Sequence, residues 1–129
     1  MGGAPPRQQT ILIVDDEVDI LESLKQLFEV SLKDVNVATA EGGAAALAII
    51  KSQIVDLIVT DYKMPGMNGC DLIDEARRLN PRVHGVLMTG FAVLAARDGL
   101  AEHDHLVLHK PFNPARLLEQ LRGRLDVPA

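Results

Sequence analysis

The chain of 129 residues is the size of one ordinary domain, long enough to bury roughly two-thirds of the surface that its unfolded form exposes. Apolar residues make up 47 % and charged residues 24 %, and the formal net charge of −5 argues against direct nucleic-acid binding by this chain. No apolar run reaches the roughly 18 residues of a membrane span, and we expect no signal peptide. The single cysteine, Cys70, excludes an internal disulfide and fits a reducing cytosol, so we expect a cytoplasmic location.

Short apolar segments alternate with segments of helical periodicity along the chain. The predicted strands are residues 10–14, 35–39, 55–60, 83–88 and 106–109. The strand at 35–39 alternates between apolar and polar residues, which predicts a place near the sheet edge. A helix is predicted after every strand, and the one at residues 91–100 is rich in alanine and weakly anchored. This alternation favours a parallel α/β sheet with helices on both faces.

Capping residues mark the beginning of two of these helices. Asn68 precedes the helix predicted up to residue 79, and Asn113 precedes Pro114 at the beginning of the last helix. An asparagine side chain can accept a hydrogen bond from a backbone N–H of the first turn, and proline suits the first helical position. Both helix starts are therefore predicted from local sequence.

Polar side chains gather where the predicted strands end. They are Asp15 and Asp16 after the first strand, Asp61 after the third, Thr89 after the fourth and Lys110 after the fifth. Because the carboxyl ends of parallel strands meet at one edge of a sheet, we expect these side chains to lie close together. Any of these groups costs free energy if it is buried without a partner, so the core does not require them. Asp61 alone would more often cap a turn, but the set predicts a functional site.

The charges at this edge indicate what it could bind. Lys110 balances one of the three carboxylates and leaves a deficit of about two charges. A hard divalent cation removes this deficit, and Mg²⁺ is the natural candidate because it needs only one or two carboxylates plus waters. Lysine, threonine and Mg²⁺ together suit the oxygens of a phosphoryl group. A carboxylate directed at that phosphorus is an attacking group, which predicts an aspartyl-phosphate.

Four motifs resemble those of one known family. IVDDE, TDYKMPGMNG, MTG and HKPF occur in that order and at compatible spacing. Over residues 10–125 the sequence resembles the receiver domain of two-component response regulators. The resemblance implies a doubly wound, flavodoxin-like sheet of five parallel strands in the order 2-1-3-4-5. Residues 1–9, rich in glycine, proline and glutamine, are expected to form a disordered lead, and residues 126–129 a short tail.

The resemblance also implies a role for each site residue. Asp61 would accept a phosphoryl group from a sensor histidine kinase or a histidine phosphotransfer protein, and Thr89 and Lys110 would hold its oxygens. Mg²⁺ would be held by Asp16 and Asp61 directly, by the backbone carbonyl of Lys63, and by Asp15 through water. The domain would lose its phosphate slowly, convert no separate substrate, and change conformation to regulate an output partner or output domain.

Two other functions compete with this interpretation. A haloacid-dehalogenase-like phosphatase also uses an aspartate nucleophile after a strand, but it needs a second aspartate two residues later, where this chain has Lys63. A degenerate receiver could act as a phosphorylation-independent interaction module. Such a receiver is expected to have lost one of Asp16, Asp61 or Lys110, and all three are present.

One position departs from the family pattern. Receivers usually carry tyrosine or phenylalanine three residues before the site lysine, and here Val107 stands there. A valine side chain has essentially one free torsion, so it cannot swing between surface and interior as an aromatic ring can. The usual output switch is therefore not predicted for this chain.

Overall fold

The computed structural model describes residues 8–89, 106–109 and 113–125. The strands and helices in these ranges are β1 (Gln9–Val14), α1 (Val18–Ser31), β2 (Val35–Ala40), α2 (Gly43–Ser52), β3 (Leu57–Asp61), α3 (Gly69–Leu79), β4 (His84–Thr89), β5 (Leu106–His109) and α4 (Pro114–Arg124). The predicted alternation of strand and helix is confirmed from β1 to β4. Outside the described residues lie the predicted helix at 91–100, Lys110, most of the predicted lead and the predicted tail.

The strands form one parallel sheet. β1 lies between β2 and β3, and β4 pairs with the other side of β3, so the predicted order 2-1-3-4 is confirmed. β2 is an edge strand and most of its residues are half-buried, as its alternating sequence predicts. β5 pairs in parallel with β4 and places Val107 opposite Leu87.

Helices cover both faces of the sheet and produce two apolar layers. Ile11 and Ile13 of β1 pack in the layer that contains residues of α1 and α4. Leu12 and Val14 point the other way, into the layer formed with α2 and α3. All four side chains are fully buried, as expected for a strand covered on both faces. The fold is therefore a flavodoxin-like α/β fold, and none of its described helices has both the length and the apolar character that a membrane crossing requires.

The beginning of β3 differs from the prediction. The sequence predicts this strand over residues 55–60, but the strand begins at Leu57 and includes Asp61. Asp56 instead contacts the beginning of β1: its N–H donates to the Thr10 carbonyl at 2.9 Å, and its Oδ2 accepts the Thr10 N–H at 2.7 Å. This pair of bonds supports the register that places Val14 opposite Thr60. The carboxyl ends of β1 and β3 therefore lie side by side.

We expect Asp56→Ala to lower the free energy of unfolding by about 1–3 kcal/mol, because the N–H of the buried Thr10 loses its acceptor. Asp56→Asn retains an oxygen acceptor and should cost less. The measurement is urea denaturation, in which the urea concentration at the midpoint should fall while the dependence of the unfolding free energy on urea stays the same. Asp74→Ala, at an exposed position of α3, is the control and should change stability by less than about 0.5 kcal/mol. Equal midpoints for Asp56→Ala and the control would contradict the assigned role.

Candidate functional site

Three carboxylates lie together where β1 and β3 end. One oxygen from each of Asp15, Asp16 and Asp61 lies within 4.8 Å of the others. Asp15 is fully buried, Asp61 is half-buried and Asp16 is exposed, so the cluster opens toward solvent at Asp16. The structure thus brings together three of the residues that the sequence assigned to the site.

The turn after β1 holds Asp15 in place. Its N–H donates to the Ala40 carbonyl at the end of β2, at 3.2 Å. Its Oδ1 accepts the N–H of Glu17 at 2.9 Å, which caps the turn just before α1 begins at Val18. One bond therefore fixes the backbone of Asp15 and the other fixes its buried carboxylate, and the more exposed Asp16 lies within the same turn.

Two backbone hydrogen bonds of Tyr62, the first residue of the loop after β3, hold this loop in place. The N–H of Tyr62 donates to the Met88 carbonyl of β4 at 2.9 Å, and the Tyr62 carbonyl accepts the N–H of Gly69 at 2.8 Å. The Asn68 side chain caps α3, as predicted. Asp61 is therefore followed by a backbone that is held by a neighbouring strand and by a helix N-terminus.

Two methionines pack the same loop against the rest of the fold. Met64 is buried, and its sulfur lies 3.9 Å from the hydroxyl of the buried Thr60. Met67 packs on the beginning of α2, where a Cβ on Gly43 would lie 3.1 Å from its side chain. This packing connects the loop after Asp61 to the sheet on one side and to α2 on the other.

Of the remaining predicted site residues, the structure describes Thr89 and Lys63 but not Lys110. Thr89 ends β4, directly after Met88, which is paired with Asp61. Lys63 is exposed in the loop two residues after Asp61. Lys110 lies outside the described residues, and its contribution to the site stays a prediction.

The donor set of the cluster suits a hard cation. Among the described residues the cluster offers only carboxylate oxygens, which are the ligands that Mg²⁺ prefers, and no sulfur or imidazole ligand. Carboxylates at this separation repel one another, and the burial of Asp15 strengthens that repulsion because the surrounding medium is less polar than water. A divalent cation would remove the repulsion, so the cluster is compatible with Mg²⁺ binding.

Comparison with known proteins identifies relatives of the whole domain. A family model described as the response regulator receiver domain matches residues 11–122. A response regulator receiver protein of Anaeromyxobacter sp. (strain Fw109-5) is 35 % identical over 113 residues, which are 84 % of this chain and 45 % of that protein. The chain also spans only 25 % of two further relatives, both transcriptional regulatory proteins.

Solved structures agree with this assignment. A CheY-like receiver domain protein from Methanospirillum hungatei JF-1 is 34 % identical with a TM-score of 0.80, covering 92 % of this chain and 94 % of that one. The response regulator TrrA from Thermotoga maritima, in complex with Mg²⁺-BeF, is 31 % identical with a TM-score of 0.76, covering 91 % of this chain and 99 % of that one. With its sheet order, its acidic cluster and a family match across nearly all described residues, this chain belongs to the response regulator receiver domains of two-component signalling.

Proposed function

We propose that this chain is a phosphoacceptor signalling domain in which Asp61 takes a phosphoryl group from a sensor histidine kinase or a histidine phosphotransfer protein. The observation that carries the proposal is the carboxylate cluster, in which one oxygen from each of three residues lies within 4.8 Å of the others. It lies at the carboxyl ends of central strands, where α/β folds of this kind bind their ligands.

Asp61 is the member of the cluster best suited to attack phosphorus. Asp15 is fully buried and its Oδ1 already accepts the Glu17 N–H. Asp16 is exposed and lies in a turn rather than on a strand. Asp61 is half-buried on β3, which is paired with strands on both sides, so its carboxylate is accessible while its backbone is held. A fixed nucleophile loses less freedom when it reacts.

Mg²⁺ has a defined set of candidate ligands in this arrangement. Asp16 and Asp61 would bind it directly, Asp15 through water, and Lys63 through its backbone carbonyl. When bound, the ion supplies positive charge to the carboxylates and to the phosphoryl oxygens. The support for this set is the oxygen-only cluster, together with the Mg²⁺-BeF complex of the related TrrA.

The transfer itself exchanges one bond to phosphorus for another. An Asp61 carboxylate oxygen forms the new P–O bond while the P–N bond to the donor histidine breaks, and the imidazole leaves with the electron pair. Thr89 and Lys110 would hold the phosphoryl oxygens through a hydroxyl and an ammonium group. Slow attack by water would later release inorganic phosphate. The protein thus converts no separate substrate, and the aspartyl-phosphate regulates an output partner or an output domain.

The same proposal covers the extent of the domain. We infer a five-stranded, doubly wound sheet with β5 at its second edge, supported by the pairing of β5 with β4. The sequence predicts a receiver over residues 10–125, consistent with the family match to residues 11–122, but Gln9 of the predicted lead already pairs with Val35 in the sheet. We therefore place the beginning of the domain at Gln9 and leave residues 126–129 outside it. The cytoplasmic location stays a prediction from the cysteine content.

We expect acetyl phosphate and Mg²⁺ to add one phosphoryl group to the folded protein, located on Asp61 by peptide mass spectrometry. Asp61→Asn should remove this label, because an amide oxygen is a poor nucleophile. Asp74→Asn makes the same chemical change at an exposed position of α3 and should leave labelling unchanged. Equal labelling of Asp61→Asn and the parent protein would contradict the assignment. A folded parent protein that takes no label would favour the interaction-module alternative.

We expect Mg²⁺ to stabilise the fold by about 2.7 kcal/mol at a hundredfold excess over its dissociation constant, because the folded state alone assembles the cluster. Melting temperatures in EDTA and in Mg²⁺ measure this gain. In EDTA, Asp16→Asn should melt above the parent protein, because one of three mutually repelling charges is gone. In Mg²⁺ the order should reverse. If Mg²⁺ raised the melting temperature of Asp16→Asn as much as that of the parent protein, metal binding by Asp16 would be ruled out.

A further inference from the structure

Gly69, the first residue of α3, lies against the backbone of Asp61. A Cβ added to Gly69 would be 2.6 Å from the Asp61 carbonyl oxygen, 2.6 Å from Leu87 Cδ2 and 3.1 Å from Thr60 Cγ2. Real Cβ atoms essentially never approach another heavy atom within 3.0 Å. The N-terminus of α3 therefore reaches its position only because residue 69 has no side chain.

The requirement for glycine at this position is steric. Gly66, in the same loop, has a φ of +84°, a conformation that side chains disfavour, yet a Cβ there would meet no atom within 4 Å. Gly69 is not among the described residues with positive φ, and it is crowded instead. The two glycines thus serve different purposes, and only Gly69 makes a close contact with the site.

The Asp61 carbonyl has little room to yield. Its oxygen accepts a hydrogen bond from the Thr60 hydroxyl at 3.0 Å. The N–H of the same peptide group, which belongs to Tyr62, donates to the Met88 carbonyl at 2.9 Å. A displacement of the carbonyl must therefore strain these bonds or carry the Cα and the carboxylate of Asp61 with it.

We propose that Gly69 is a positioning residue for Asp61, whose carboxylate it holds at the correct place relative to Asp15 and Asp16. This inference rests on the proposed function. Alanine at position 69 would require at least about 0.4 Å of added separation, the difference between 2.6 Å and 3.0 Å. Reactive groups have to be held to about 0.5 Å, and an error of 1 Å can cost roughly a hundredfold in rate. A displacement near 0.4 Å should therefore slow phosphorylation about tenfold.

A matched control exists on β4. A Cβ on Gly85 would be 2.7 to 3.1 Å from three atoms of the Ile73 side chain, and these are its three nearest neighbours. Gly85→Ala therefore introduces a similar overlap, but against a side chain of the core and not against the backbone of Asp61. It should lower the melting temperature without changing phosphorylation.

The experiment compares Gly69→Ala with Gly85→Ala and the parent protein, at a temperature where all three are folded. Acetyl phosphate titrations give the saturating phosphorylation rate and the half-saturating concentration. The Mg²⁺ dissociation constant is followed by the fluorescence of Tyr62, the single tyrosine in a chain without tryptophan. Gly69→Ala should lower the saturating rate about tenfold, raise the Mg²⁺ dissociation constant severalfold and leave the half-saturating concentration unchanged.

Leu87→Ala separates positioning from simple packing. In the double variant with Gly69→Ala, the overlap with Leu87 Cδ2 is gone, but the overlap with the Asp61 carbonyl stays. We expect the saturating rate to stay low in the double variant, because the overlap with the Asp61 carbonyl is unchanged. A rate restored by Leu87→Ala would overturn the proposal, as would a folded Gly69→Ala variant that matches the parent protein in rate and in Mg²⁺ affinity.

The two readouts keep this inference distinct from the proposed function. If the parent protein takes no label on Asp61, the phosphoacceptor function fails. A weakened Mg²⁺ affinity of Gly69→Ala, with unchanged affinity in Gly85→Ala, would still support positioning of the cluster. If the Mg²⁺ affinity were unchanged in both Gly69→Ala and Gly85→Ala, the positioning role of Gly69 would be overturned.

Discussion

The parallel pairing of β1 with β3 is the constraint on which the site depends. Ile11 lies opposite Leu57 and Val14 opposite Thr60, so the residues that follow both strands meet at one edge of the sheet. A slip of one residue would turn the side chains of one strand to the opposite face and separate the carboxylates. The bonds between Asp56 and Thr10, at the other end of the strands, oppose such a slip.

The fold carries its acidic cluster at a cost in stability. A fully buried carboxylate at Asp15 follows a strand whose four apolar side chains are fully buried, and two further carboxylates lie within 4.8 Å of it. Burial of charge and repulsion between like charges both oppose folding. The aliphatic layers on the two faces of the sheet offset these terms, since burial of a large apolar side chain contributes about 1.5–3 kcal/mol. Such a conflict between local charge and global stability is typical of functional sites.

Rigidity around Asp61 arises from contacts of several kinds. β-pairing holds the residue itself, a backbone bond to Met88 holds the next peptide, and the close approach of Gly69 limits movement toward α3. Met67 connects the loop after Asp61 to α2, so a displacement of this loop would reach a helix on that face of the sheet. β5 places Val107 opposite Leu87, in a family where an aromatic residue usually stands at this position.

Local sequence determined the order of strands and helices, the caps at Asn68 and Asn113, and the acids that end β1 and β3. These features follow from periodicity and from interactions within a few residues, which a sequence displays directly. The late beginning of β3 and the contact of Gly69 with Asp61 were decided only by the tertiary structure. Asp56 accepts a hydrogen bond from Thr10, which is 46 positions away in the chain. Glycine is required at position 69 because atoms of β3 and β4 lie too close for a Cβ. Contacts of this kind leave no periodic pattern, because they depend on how distant segments pack.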